Sequence, residues 1–186
     1  MQSLIARAHG LSRVFVWIGG AMILLSAFLV TVEVFLRRLF NTSLAGADEI
    51  SGYAFGVATT LGFAYALFER AHIRVDALFI LLPQGFRILL NVIGLLLLIG
   101  FAAIVAWMGW QMLADTLEHG SRSITPMRTP LAIPQIPWLF GWLFFVACGL
   151  LLLLGALQAT LRGQASEGER LIGPKTLDEQ IEDETV

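Results

Sequence analysis

Long apolar stretches separated by short polar segments dominate the pattern along this chain of 186 residues. A helix that crosses roughly 30 Å of hydrocarbon needs about 20 mostly apolar residues. The apolar stretches that are long enough do not show the polar face that a helix on the surface of a soluble protein requires. We therefore predict an all-α integral membrane protein with four transmembrane helices, at Val14–Leu36, Ile50–Phe68, Ile88–Leu113 and Ile136–Leu161.

The composition agrees with this pattern. Hydrophobic residues make up 57% of the chain and charged residues 14%, whereas about a quarter of the residues are charged in soluble domains. A soluble fold of this length could not bury so much apolar surface. The composition thus excludes a soluble enzyme, a disordered chain and a disulfide scaffold, and the lone Cys148 has no partner for an internal bridge.

The basic residues predict the orientation of the four helices. Eight Lys and Arg residues lie on the side of the termini and of the loop between the second and third helices, and four lie on the other side. Because cytoplasmic loops are enriched in Lys and Arg, we expect both termini in the cytoplasm. We assign residues 1–162 to the membrane domain. Residues 163–186 carry seven acidic and two basic side chains, and we expect them to form a mobile cytoplasmic tail.

Residues 114–135 form the longest polar connection within the membrane domain. They contain Pro126, Pro130 and Pro134, and Pro137 follows closely. Since proline disrupts helices and favours extended backbone in the residue before it, we expect an ordered, extended path here and not a helix.

The sequence offers little chemistry of its own. It has no glycine-rich phosphate loop, no HExxH and no CxxC motif, and the histidines fall outside the predicted spans, at positions 9, 72 and 119. Haem held within the membrane would need an axial ligand inside the helices. We therefore expect no enzyme activity, no catalytic residues, no metal and no cofactor, and nothing indicates nucleic-acid binding.

Glu33 is the only ionisable residue within the predicted spans. Carboxylates inside a membrane are often functional, so one hypothesis is a self-contained small four-helix transporter that couples ion movement through Glu33. The second hypothesis is an ion pair at the membrane interface, because Arg37 follows four residues later in the favourable order. We favour the ion pair and expect neutralisation of Glu33 to have a small effect.

Two further groups of residues are candidates for structural or partner contacts. Gly52 and Gly56 have GxxxG spacing in the second span, which allows close approach of helices in lipid, and Thr60 and Ala64 continue the same spacing. The segment from His72 to Asp76 follows the second span and alternates polar with apolar residues, with the polar positions at His72, Arg74 and Asp76. We expect a structural network from it and not a catalytic site.

These segments resemble the small membrane subunit, of DctQ type, of tripartite ATP-independent periplasmic (TRAP) transporters. That family has a basic residue at the end of the first helix, Trp-x-x-Glu at the start of the second, His-Ile-x-Val-Asp after it, and Thr-x-Leu-x-Ile-Pro before the fourth. The matching residues here are Arg37 and Arg38, Ala47-Asp48-Glu49, His72-Ile73-Arg74-Val75-Asp76 with Leu82-Pro83, and Thr129 to Pro134 followed by Pro137 and Gly141. One departure is Gly46, which stands where the family usually has Trp.

The resemblance implies a subunit of a secondary transporter in the bacterial inner membrane. It implies as partners a large transmembrane subunit (DctM type), a periplasmic solute-binding protein (DctP type) and membrane lipid. The complex would import organic acids with a sodium gradient, and this chain would pack as a scaffold against the large subunit. Besides the self-contained transporter that uses Glu33, a membrane anchor for an enzyme complex is a further alternative.

Overall fold

The computed structural model describes residues 1–70, 83–162, 168 and 171–173. The helices in chain order are α1 (Gln2–Phe40), α2 (Ala47–Phe68), α3 (Gln84–His119) and α4 (Ala132–Leu161). All four are long and apolar enough to cross a membrane. The predicted all-α membrane fold with four spanning helices is thus confirmed, while the orientation of the termini stays a prediction.

The helices extend beyond the predicted spans, α1 most of all. Its 39 residues correspond to about 58 Å, nearly twice the thickness of the hydrocarbon. It ends at Asn41, which has a left-handed backbone (φ 51°) and whose N–H bonds to the carbonyl of Leu36. α3 ends in the same way at Gly120, with φ 58°. Both are left-handed caps that satisfy a carbonyl of the last turn.

The expectation of an extended path over residues 114–135 is only partly right. α3 continues to His119 and α4 already begins at Ala132, so residues 120–131 alone are irregular. Pro134 lies in the first turn of α4, where the N–H groups have no partner within the helix and proline is tolerated. Pro137 lies inside the helix, where the loss of one N–H does not stop it.

The helices pack in the order α1, α2, α4 and α3, so α2 and α4 are central and α1 and α3 lie outside. Small residues bring the helices together where they cross. A Cβ added to Gly19 of α1 would lie 3.1 Å from the carbonyl oxygen of Ala58. A Cβ added to Gly141 of α4 would lie 2.6 Å from the Cβ of Thr60. These two glycines therefore allow α2 to approach both α1 and α4 at backbone distance.

The main apolar core lies between α2, α3 and α4. Its fully buried side chains are Ala64, Leu67, Leu95, Ile99, Ala102, Phe145, Cys148, Leu152, Leu153 and Ala156. The tail contributes one more: Ile172 is buried in the same cluster, and Leu171 packs against it beside Ile5 of α1. At residues 171 and 172 the tail is thus packed and not solvated, because its two apolar side chains cover the ends of α1 and α4. For most of the remaining tail, which lies outside the described residues, mobility stays a prediction.

Candidate functional site

A group of polar contacts lies where α1 is joined to α2 and α3 is joined to α4. We call the two connections, residues 41–46 and 120–131, the loop end. The opposite end, which we call the terminus end, holds the start of α1, the end of α2, the start of α3 and the end of α4. Side chains from the end of α1 and the start of α2 reach these two loops.

Glu33 holds the loop between α1 and α2. It is 2% exposed, and its Oε1 accepts hydrogen bonds from Arg37 Nη2 at 2.7 Å and from Ser43 Oγ at 2.6 Å. Its Oε2 accepts the backbone N–H of Leu44 at 2.7 Å. Ser43 Oγ in turn accepts the N–H of Ala45 at 3.1 Å. The structure thus contains the Glu33–Arg37 pair that the sequence suggested, and the same carboxylate also fixes the following loop.

Glu49 holds the other loop. Its Oε1 accepts the hydroxyl of Tyr53 at 2.8 Å, and its Oε2 accepts the hydroxyl of Thr125 from the connection between α3 and α4. The side chains of Ser123 and Thr129 interact with the same carboxylate. Because Tyr53 of α2 and Thr125 of the later loop donate to the same carboxylate, Glu49 joins two parts of the chain that are 76 residues apart in sequence.

The loop of residues 120–131 is itself folded by backbone contacts. The N–H of Ser123 bonds to the carbonyl of Thr129 at 2.9 Å, and the N–H of Leu131 bonds to the carbonyl of Ser121 at 3.1 Å. Arg128 has a left-handed backbone, with φ 48°, and its carbonyl accepts Arg122 Nη1 at 3.4 Å. These bonds close residues 121–131 into a small loop that is held by its own backbone.

The two loops also touch through Gly46 and Met127. A Cβ added to Gly46 would collide with the sulfur of Met127, so the methionine side chain occupies the space beside this glycine. The departure from the family pattern at position 46 thus coincides with a packed side chain from the other loop. Any residue larger than glycine at position 46 would have to displace Met127.

The small residues of α2 that share the GxxxG spacing lie in different surroundings. Four residues advance a helix by about 400°, so a stripe with this spacing turns by about 40° at each step. Thr60 and Ala64 accordingly lie buried in the interior, whereas a Cβ added to Gly52 would meet nothing within 4 Å. Gly52 instead lines a groove of about 640 Å³ between α1 and α2, together with Ile23, Ser26, Ala27, Val30, Asp48, Ser51 and Phe55. Gly56 is intermediate between these surroundings: a Cβ added to it would lie 3.8 Å from the side chain of Trp138, which is an ordinary van der Waals contact.

The remaining candidates fall in different places. His72, Arg74 and Asp76 lie outside the described residues, as does Leu82. Arg38 is exposed at the end of α1, Thr129 belongs to the loop that Glu49 holds, and Pro134 lies in the first turn of α4. Ser43, Tyr53, Thr125 and Met127 escaped the sequence reasoning, because single hydroxyl or thioether groups in a loop give no pattern that marks their partner.

The described residues contain no group of three or more His, Cys, Asp or Glu side chains that could hold a metal ion. Residues 26–162 match the family described as tripartite ATP-independent periplasmic transporters, DctQ component. This match covers more than half of the chain, and the chain therefore belongs to the DctQ family of TRAP transporter small subunits. No curated protein and no solved structure matches it.

Proposed function

We propose that this chain is the scaffold subunit of a sodium-driven importer of organic acids, in which it packs against the large DctM-type subunit. The family match over residues 26–162 is the observation that carries this proposal. A DctP-type binding protein would deliver the solute from the periplasm. The solute pathway and the sodium sites would lie in the large subunit.

The structure supports a role as a packing subunit through its outer helices. Within the chain, α1 buries only Ser12, Gly19 and Glu33, so most of this long apolar helix is open to lipid or to a partner. α3 likewise exposes large side chains, among them Leu97, Phe101 and Ile104. An arrangement in a row leaves more helix surface for a second subunit than a closed four-helix bundle would.

The surroundings of Glu33 favour the scaffold over a self-contained transporter. A coupling carboxylate has to bind and release an ion during each cycle, whereas Glu33 is already bonded to Arg37, Ser43 and the N–H of Leu44. Moving an ion through this site would require those bonds to break.

Reconstitution tests the proposal. The chain is co-expressed with the large subunit of the same system, the complex is purified, and uptake is measured in vesicles with and without a sodium gradient. We expect co-purification of the two subunits, sodium-dependent uptake that requires both, and no uptake by this chain alone. Failure of the two proteins to associate, or transport by this chain alone, would contradict the proposal.

The proposed location is the bacterial inner membrane with both termini in the cytoplasm, so that the loop end faces the periplasm. Cysteine labelling tests it with Ser43→Cys at the loop end and Ser166→Cys in the tail, in a background in which Cys148 is replaced by serine. We expect an impermeant reagent to label intact cells at position 43 and not at position 166. The reverse result would show the opposite orientation.

A further inference from the structure

Met127 is the one methionine of this chain that lies in a connection between two helices. The chain has five methionines. Met22 lies in α1, Met108 and Met112 lie in α3, and Met1 stands directly before α1. Met127 belongs to the loop of residues 120–131, and its side chain is 47% exposed. Its surroundings therefore differ from those of the other four methionines.

The loop that carries Met127 lies in water. Trp107 and Trp110 are exposed on α3, as expected for aromatic residues at the level of the lipid head groups. α3 continues for nine residues beyond Trp110 to His119, which is about 13 Å along the helix axis, and the loop follows beyond that. Arg128, the residue after Met127, is exposed as well. Solutes dissolved in water therefore reach the exposed part of the Met127 side chain.

The packed part of Met127 contacts the start of α2. A Cβ added to Gly46 would collide with the Met127 sulfur and lie 2.7 Å from its Cγ, so the thioether rests against the α-carbon of Gly46. Gly46 is the N-cap residue of α2, and its carbonyl accepts the N–H of Ile50 at 3.0 Å. Two positions before Met127, Thr125 donates its hydroxyl to Glu49. An apolar contact and a polar contact, two residues apart, thus hold this loop on the first turn of α2.

Oxidation of the thioether would change the apolar contact and leave the polar one. Hydrogen peroxide transfers one oxygen atom to the sulfur: an S–O bond forms, the O–O bond breaks, the sulfur gives up two electrons, and the second oxygen leaves with both protons as water. The product, methionine sulfoxide, is polar and chiral. Burying its oxygen without a hydrogen bond costs free energy, so the modified sulfur would turn toward water and leave the surface of Gly46.

We propose that Met127 is an oxidation site, and that its modification by a hydroperoxide releases residues 120–131 from the start of α2. In the thioether form the sulfur holds the loop on Gly46, and in the sulfoxide form the contact between Thr125 and Glu49 remains. Reduction by a methionine sulfoxide reductase restores the thioether, so the change is reversible. The proposal needs only a loop end in water and is independent of the proposed function.

Peroxide treatment of the full chain in lipid nanodiscs tests the proposal. Mass spectrometry of peptides measures the sulfoxide at each methionine. Amide hydrogen exchange is measured at Ile50 and Arg128, whose N–H groups bond to the carbonyls of Gly46 and Thr125. We expect sulfoxide at position 127 and about fivefold faster exchange at both amides, the factor expected when about half of the burial free energy of one apolar side chain is lost. Methionine sulfoxide reductase should reverse both changes, and exchange in the second half of α4 should stay constant.

Two variants separate Met127 from the other methionines. Met127→Leu keeps an apolar side chain of similar size and leaves the remaining methionines open to peroxide, so exchange at the loop end should no longer respond to the treatment. Met127→Gln places a polar group beside Gly46 and should show the faster exchange without peroxide. The proposal is overturned if position 127 stays a thioether while other methionines are oxidised, or if its sulfoxide leaves the exchange of both amides unchanged. A response of Met127→Leu equal to that of the wild type would overturn it as well.

Discussion

The loop end and the terminus end are stabilised by different kinds of contact. At the loop end, two carboxylates hold the loops through short hydrogen bonds to hydroxyl and amide groups. At the terminus end, apolar side chains of the described residues pack together, since Ile172 is buried and Ile5 and Leu171 lie next to Gly155, and His9 and Glu69 form a polar contact there. We infer that hydrogen bonds fix the positions of the loops at the loop end, and that burial of apolar side chains stabilises the packing of the helices at the terminus end.

The largest predicted difference between the two ends is in stability, and it is tested with one buried and one exposed isoleucine. Ile172→Ala should lower the free energy of unfolding by about 2–5 kcal/mol, because it leaves a cavity in the core. Ile124→Ala should have almost no effect on stability, since Ile124 is fully exposed. Thermal unfolding of the two purified variants in the same detergent measures both effects. Equal destabilisation would show that the two ends do not differ in this way.

Glu49 tests the loop end directly. Glu49→Ala removes the acceptor for Tyr53 and Thr125, so residues 120–131 should lose their connection to α2. We expect faster amide hydrogen exchange at Ser123 and Leu131 and unchanged exchange in the second half of α4. The control is Glu118→Ala, which removes an exposed carboxylate close to the same loop. Increased exchange along the whole of α4 would mean that Glu49 supports the entire fold and not one loop.

Glu33→Gln should have a smaller effect, but a larger one than the sequence suggests. The expectation of a small effect assumed a single ion pair at the membrane interface, whereas Glu33 is 2% exposed and accepts hydrogen bonds from three donors. Hydrogen bonds to charged groups in such surroundings are stronger than exposed ion pairs. We expect increased exchange at Leu44 and Ala45 and a modestly lower yield of complex, with normal sodium-dependent uptake per assembled complex.

Uptake measured alongside a pull-down separates the two roles of Glu33. The control Thr31→Ala alters an exposed residue on the same helix whose hydroxyl bonds only to the backbone of that helix, at Ala27. Full assembly of Glu33→Gln without transport would contradict the scaffold and place the ion pathway in this chain.

The sequence predicts the helices well because their signal is local. An apolar run of about 20 residues identifies a spanning helix without reference to any other part of the chain, and each of the four predicted spans lies within one observed helix. The Glu33–Arg37 pair could be predicted for the same reason, since the two residues are one helical turn apart. The prolines near the start of α4 led to a wrong prediction for residues 132–135. Whether a proline disrupts a helix depends on its distance from the helix start, and the sequence did not show that start.

The rest of the loop end could not be predicted because it depends on distant partners. Glu49 meets Thr125 across 76 positions, and neither residue indicates the other. Gly46 was noticed only as a departure from the family pattern, while its contact with Met127 depends on how the two loops fold together. The GxxxG spacing predicts a close helix contact at Gly52, and within this chain the rotation of the stripe directs that position toward the groove between α1 and α2; a contact there with another protein stays a prediction.

The smallest predicted effect concerns the polar pair at the terminus end. His9 Nε2 lies 3.1 Å from Glu69 Oε1, and both side chains are about one-third exposed, so this pair should contribute at most about 1 kcal/mol. His9 also packs against the rings of Tyr65 and Phe68, with centroid distances of 5.9 and 5.3 Å. His9→Phe keeps these ring contacts and removes only the polar bond, whereas His9→Ala removes both. We expect thermal unfolding of His9→Phe to stay close to that of the wild type and His9→Ala to be clearly less stable. If His9→Phe were destabilised as strongly as His9→Ala, a directional polar bond would support this end as well, and the contrast between the two ends would not hold.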